Sequence, residues 1–259
     1  MTVGMTVGVS EEQPVVKMEG ISKNFGAVKA LENVTITLRR GEVVGIVGDN
    51  GAGKSTLIKI LSGVYQPDKG EIYFNGNKVT FSSPIDARKM GIETIYQDLA
   101  LVDDLNIYHN IFLAKERFLR ETPVLRFLDN KKMKTSAEGF LKDLDVDIPE
   151  IDAKARVLSG GQRQAIAIAR SVYFSAKVLI MDEPTAALGV VETKRVLDLI
   201  ENLKKRRDVG IIIIAHNLAH VLMVADRVLV LSRGRVIAER ETKETNIDDV
   251  TEIISKGAA

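Results

Sequence analysis

The run Gly48-Asp49-Asn50-Gly51-Ala52-Gly53-Lys54-Ser55 fits G-x-x-x-x-G-K-[ST] at every fixed position, and it restricts this chain more than any other feature. Glycines at those places let backbone N–H groups turn inward around phosphates without Cβ clashes. A helix starting at the lysine presents its positive end to the same anion. Lys54 is placed to reach the β- and γ-phosphates and the Ser55 hydroxyl to ligate Mg²⁺, with Thr56 adding a second hydroxyl. The context agrees. Residues 42–47 read as a short buried strand, and Leu57, Ile58, Ile60 and Leu61 form a helical face that Gly63 stops. A glycine-rich turn can bind nothing, but such turns rarely carry Lys-Ser at this offset. The loop is expected to hold a nucleoside triphosphate with Mg²⁺. No Asn-Lys-x-Asp guanine motif appears, which points to ATP rather than GTP.

Around this loop the chain alternates strands and helices. Residues 15–21 and 34–38 read as strands, and Asn75-Gly76-Asn77 between residues 72–74 and 78–80 is a hairpin signal. Residues 104–144 are rich in Leu, Lys and Glu at helical spacing, and 145–156 read as a connecting loop. Helices are then expected at 162–173, 190–206 and 247–254, with strands at 178–181, 211–215 and 228–231. The run Ile211-Ile212-Ile213-Ile214 is apolar on both faces, as in central parallel strands covered by helices. The helix at 190–206 carries Val196, Leu199, Ile200 and Leu203 on one stripe and Glu201–Lys205 as an i,i+4 pair.

The 259 residues can bury a large single core, and 45% apolar with 27% charged content excludes a disordered chain. A formal charge of +1 gives no reason to expect nucleic acid as a partner. The absence of cysteine removes disulfides, thiolate zinc sites and cysteine nucleophiles together. No apolar stretch approaches the roughly 20 residues that span a bilayer, so a membrane role requires a partner. The opening Met-Thr-Val-Gly repeat reads as a flexible tail over residues 1–14.

Two further segments carry chemistry. Val178-Leu179-Ile180-Met181 is an apolar strand ending in Asp182 and Glu183. Asp182 is placed to hold Mg²⁺ opposite the phosphate loop, and Glu183 to face the γ-phosphate and polarise the attacking water. Leu158-Ser159-Gly160-Gly161-Gln162 precedes a long helix. Ser159 with Gln162 satisfies a capping box, the plain explanation. The two glycines also leave exposed N–H groups at a helix N-terminus, a second anion site that one nucleotide on one loop does not need.

Taken in order, these motifs resemble the nucleotide-binding subunits of ATP-binding cassette (ABC) transporters, whose signature is Leu-Ser-Gly-Gly-Gln. The resemblance covers about residues 15–240. It implies a RecA-like P-loop NTPase core, α/β in class, over residues 15–97 and 158–259. That core would carry an antiparallel β subdomain and an α-helical subdomain inserted at 98–157. Phe25 matches the aromatic that stacks on adenine, Gln97 the Q-loop glutamine that contacts the Mg²⁺ site and senses the membrane partner, and His216 the switch histidine. His109 and His220 match no motif and read as structural or surface residues. The family's D-loop usually runs Ser-Ala-Leu-Asp, whereas this chain has Ala186-Ala187-Leu188-Gly189, which puts any cross-dimer contact at position 189 in doubt.

Residues 81–87, 90–93, 96–101 and 110–113, with the run 184–188, resemble importers of ribose, xylose, fructose and related monosaccharides. That implies a homodimer sandwiching two ATP molecules, docked at the cytoplasmic face of the membrane on integral permease subunits, with an extracytoplasmic sugar-binding protein supplying the solute. An importer of another solute, an exporter, and a soluble ABC ATPase acting on DNA, RNA or the ribosome remain open. Coiled coils, zinc cysteines and tandem units, typical of that last class, are absent from the sequence.

Overall fold

A computed structural model describes residues 13–121 and 126–258. Most of the tail expected at 1–14 therefore lies outside the described residues. The chain opens with β1 (Val16–Phe25) and β2 (Val28–Leu38), paired antiparallel. β3 (Val43–Val47), buried throughout, runs through the phosphate loop into α1 (Lys54–Leu61). β4 (Lys69–Phe74) and β5 (Asn77–Val79) form the expected hairpin, whose loop residues Asn75 and Gly76 have φ of 47° and 76°. Two successive positive φ values match the turn whose twist suits a two-residue hairpin. α2 (Pro84–Met90) then leads into β6 (Ile92–Ile95).

The middle segment holds α3 (Ile107–Ile111), β7 (Phe118–Glu121), β8 (Arg126–Leu128) and α4 (Asn130–Asp143). After it come α5 (Gly160–Tyr173), β9 (Val178–Asp182), α6 (Val190–Arg206), β10 (Gly210–Ile214) and α7 (Leu218–Val224). β11 (Arg227–Ser232), β12 (Arg235–Glu241) and α8 (Ile247–Ala258) close the described chain.

Two sheets carry the fold. One is antiparallel in the order β2-β1-β4-β5. The other runs β12-β11-β3-β10-β9-β6, parallel except for β12 against β11. The isoleucine run of β10 shows why it is central. Ile211 and Ile213 face the core shared with the helical segment, and Ile212 and Ile214 the core shared with α1 and the antiparallel sheet. With a side-chain period of two, both faces must be apolar.

Two expectations need correction. The stretch from 104 to 144 is not wholly helical, because β7 and β8 pair antiparallel inside it. The aromatic Phe118 and Phe127 favour a strand over a helix. The ion pair of Glu201 is with the half-buried Lys204 at 3.8 Å rather than the exposed Lys205, and Lys204 also reaches Asp226 at 2.8 Å. The apolar stripe of α6 is as expected: Val196, Leu199, Ile200 and Leu203 are buried.

Candidate active site

The phosphate loop, the acidic pair, His216 and Gln97 all follow the carboxyl ends of parallel strands, respectively β3, β9, β10 and β6. That edge of an open α/β sheet is where ligands bind. Gly48 shows how tightly the loop is built: its φ is 142°, and a Cβ there would stand 2.0 Å from the Leu231 carbonyl oxygen. The turn between β11 and β12 supports the loop from behind, with Gly234 N–H donating to the Ala52 carbonyl at 3.0 Å.

Lys54 is 7% exposed and folded onto its own loop, its ammonium donating to the carbonyls of Gly48 at 2.6 Å and Asp49 at 2.9 Å. Burial pushes its pKa below the ordinary lysine value, while Glu183, Asp49 and Asp182 oppose that shift. The two carbonyls occupy donors that a nucleotide would take. Ser55 is exposed and Thr56 half-buried at the start of α1.

Asp182 ends β9 and is half-buried, and burial raises its carboxyl pKa against the pull of Lys59, Lys54 and His216. Glu183 follows at φ 55°, a left-handed conformation that strains a non-glycine residue. Its backbone N–H donates to the Ile214 carbonyl at 2.8 Å, and its Oε2 accepts the His216 backbone N–H at 3.3 Å. Glu183 Oε1 is buried without a hydrogen bond, although His216 Nε2 stands 3.5 Å away. An unpartnered buried carboxylate oxygen is costly unless a ligand uses it. Among the described residues, no group of three or more histidine, aspartate or glutamate side chains is placed to hold a metal ion. An Mg²⁺ ion fits this set of one hydroxyl and few carboxylates only if nucleotide phosphates complete its shell.

At the start of α5 the capping box is real. Ser159 Oγ accepts from Gln162 N–H at 3.3 Å, and Gln162 Oε1 accepts from Ser159 N–H at 3.0 Å. Ser159 and Gly160 are exposed. Gly161 is required by close approach, since a Cβ there would lie 2.9 Å from Glu192 Cβ on α6. Glu192 in turn caps α6 by accepting the Gly189 N–H at 3.3 Å. Gln97 is exposed just past β6, and Phe25, 43% exposed, meets Tyr65 edge to face at 5.2 Å between ring centres.

Residues 31–186 match the ABC transporter family. The xylose/arabinose import ATP-binding protein XylG of Sulfolobus acidocaldarius is 53% identical over 244 residues, which cover 94% of this chain and 95% of that one. The chain belongs to the ABC transporter family.

This ABC ATPase is also 43% identical to the fructose import ATP-binding protein FrcA of Rhizobium meliloti, over 92% of each chain. The ribose import ATP-binding protein RbsA of Caldanaerobacter subterraneus is 42% identical, but the cassette spans only 48% of its length. Among solved structures, the ATP-binding cassette MJ1267 of an ABC transporter superposes with a TM-score of 0.79 at 29% identity, over 93% of this chain and 98% of that one. A dimeric cassette, MJ0796, bound to ADP and Pi, gives 0.72 at 25% identity, over 89% and 100%.

His220, read as structural or surface, is structural: it shares a hydrogen bond with Thr185 Oγ1 at 3.0 Å and so braces the segment after Glu183 against α7. Sequence reasoning missed the Arg233-Gly234 turn behind the loop. A glycine directly after a strand was its available signal. The D-loop departure leaves α6 without a side-chain cap at Gly189; Glu192 supplies only the reciprocal bond, accepting the Gly189 N–H.

Proposed function

We propose that two copies of this chain close on two ATP–Mg²⁺ units and that the cycle drives uptake of a monosaccharide through separate membrane permease subunits. The observation that carries the composite site is the exposed N-terminus of α5 at Ser159 and Gly160, a second anion-ready edge in addition to the phosphate loop. In this reading the loop of one copy, residues 48–56, and the signature of the other, residues 159–162, enclose one nucleotide. The likeness to the sugar import proteins XylG, FrcA and RbsA supports a monosaccharide as the solute. No helix among the described residues is long and apolar enough to cross a membrane. The cassette would bind permease subunits at the cytoplasmic face, a reading supported by the likeness to import ATP-binding proteins. An extracytoplasmic sugar-binding protein would deliver the solute to them.

Mg²⁺ bound with ATP would neutralise charge developing on the β- and γ-phosphate oxygens. Ser55, Asp182 and Gln97 would hold it. Phe25, with Tyr65 behind it, would carry the adenine. Lys54 would exchange its two loop carbonyls for phosphate oxygens. Glu183 Oε1, buried and free of hydrogen bonds, would take the proton of the attacking water, and His216 would steady both Glu183 and the γ-phosphate. Residues 98–157 would move as an arm relative to the core that carries the loop.

Mixed dimers test the shared site. With Ser159→Arg on one chain and Lys54→Ala on the other, both lesions fall in one composite site and the second site stays intact. About half the wild-type ATPase rate is expected, and complete loss would refute the arrangement. For transport, vesicles holding the permease encoded beside this chain should show ATPase stimulation by a pentose- or hexose-loaded binding protein. No stimulation by any sugar would remove sugar import.

A further inference from the structure

The loop that leaves Gln97 is held from one side by a single helix. α5 sends the Arg170 guanidinium to the carbonyls of Leu99 at 2.8 Å and Ala100 at 3.0 Å. Seven residues earlier, two turns along the same face, Arg163 pairs with Asp103 at 2.6 Å. Ala100 itself is at φ 48°, a left-handed conformation unfavourable for alanine that persists only where its surroundings dictate it. The Arg170 fork on its carbonyl side and Asp98, whose Oδ1 accepts the Ala100 N–H at 3.1 Å, hold it there. Arg170 also borders a 260 Å³ cavity with Arg88, Glu93 and Lys115. Glu93 answers Arg88 at 3.3 Å and Lys115 at 3.7 Å, and burial raises its pKa despite these cations. Burial likewise lowers the Arg170 pKa, so its guanidinium gains from the carbonyls it finds there.

The amino end of α5 is the signature, residues 159–162, about 15 Å from Arg170 at 1.5 Å per residue. We propose that Arg170 is a positioning residue that ties the loop carrying Gln97 to the signature helix. Displacement of either end, by the membrane partner at the loop or by nucleotide at the signature, is then felt at the other. This rests on the role given to Gln97 above. Arg170 touches no reacting atom; it sets the path of the loop through a strained residue.

The test uses the full chain and reads kcat and KM for ATP separately. Arg170→Ala should lower kcat about tenfold, equivalent to about 1.4 kcal/mol, with KM within about twofold. Arg170→Lys, which keeps a cation in the cavity but reaches one carbonyl, should lose about threefold and serves if the alanine variant does not fold. Ala100→Gly alone should leave turnover unchanged. In the Arg170→Ala background it should restore kcat about threefold, because glycine adopts φ 48° without strain. Gln97→Ala should be slow by itself and no slower when combined with Arg170→Ala.

A core-packing role for Arg170 would instead lower the unfolding midpoint and give no rescue by Ala100→Gly. That outcome, wild-type kcat in Arg170→Ala, or additive losses with Gln97→Ala, overturns the proposal. If Gln97→Ala turns over at the wild-type rate, the role given to Gln97 fails and the proposal with it. A slow Gln97→Ala beside a fast Arg170→Ala defeats the positioning role alone.

Discussion

Glu183→Gln separates the proton-accepting role of Glu183 from the shape of the site. Its Oε2 accepts the His216 N–H at 3.3 Å, and a glutamine carbonyl can accept the same bond. The φ of 55° costs glutamine what it costs glutamate. What disappears is a base. General-base assistance contributes about 10²–10⁴-fold, so the barrier should rise by about 2.7–5.5 kcal/mol. Stability should move the other way or stay level. The Glu183 side chain is 18% exposed with one oxygen unpartnered, and an uncharged amide costs less to bury than a carboxylate. A gain of up to about 1 kcal/mol is expected in urea unfolding of the nucleotide-free chain. Single-turnover hydrolysis with protein in excess measures the chemical step, and light scattering after ATP addition measures whether a dimer is trapped. Hydrolysis within about threefold of wild type would refute Glu183 as the base. A lost rate without any ATP-dependent dimer would spare the base and refute the shared site.

Lys54→Ala removes two phosphate contacts of about 1.5–3 kcal/mol each, so ATP affinity by calorimetry should fall by about 100-fold or more. An unchanged affinity would end its assigned role. For Asp182, burial raises the carboxyl pKa in the folded state above the ordinary 3.8. The folded chain therefore binds that proton more tightly than the unfolded one, and stability falls as pH rises through the window above 3.8. Asp182→Asn should raise the urea midpoint of the nucleotide-free chain near pH 7, with the gain vanishing as pH falls toward 3.8; a gain independent of pH would contradict this. Arg227, 3% exposed, joins Glu42 at 2.7 Å. Arg227→Met should cost about 3–5 kcal/mol of stability by leaving the Glu42 charge buried, and Arg227→Met with Glu42→Met should cost less than the single change. Equal losses would show that the pair is not the cause.

The parts of the site legible in the sequence are those whose chemistry sits within a few consecutive residues. The Gly48 to Thr56 run, the Asp182-Glu183 pair after an apolar strand, and the Ser159/Gln162 cap each declare a strand, loop or helix end by local spacing. The parallel sheet was equally readable, since Ile211 to Ile214 can satisfy two apolar faces only between helices. Contacts across long sequence separations were not. Nothing near Arg170 announces that its partners are Leu99 and Ala100, 71 and 70 residues away. The Phe118–Glu121 and Arg126–Leu128 hairpin was hidden because its leucines and arginines suit a helix as well as a strand. The bonds of Lys54 to the Gly48 and Asp49 carbonyls lie within its own loop, and a motif defined by the phosphates it binds does not describe them.

The Arg227–Glu42 pair lies at the amino ends of β11 and β3, at the opposite edge of the sheet from the phosphate loop. Glu42 precedes β3 and Arg227 begins β11, while Glu239 and the Thr37 carbonyl complete the cluster from β12 and β2. Endurance and turnover are thereby housed at opposite poles of the same strands. Heat tolerance in such a motor can be raised or lowered at one pole while the other keeps its speed. Changes at positions 37, 42, 227 and 239 should therefore move the unfolding midpoint and leave the catalytic edge as it is.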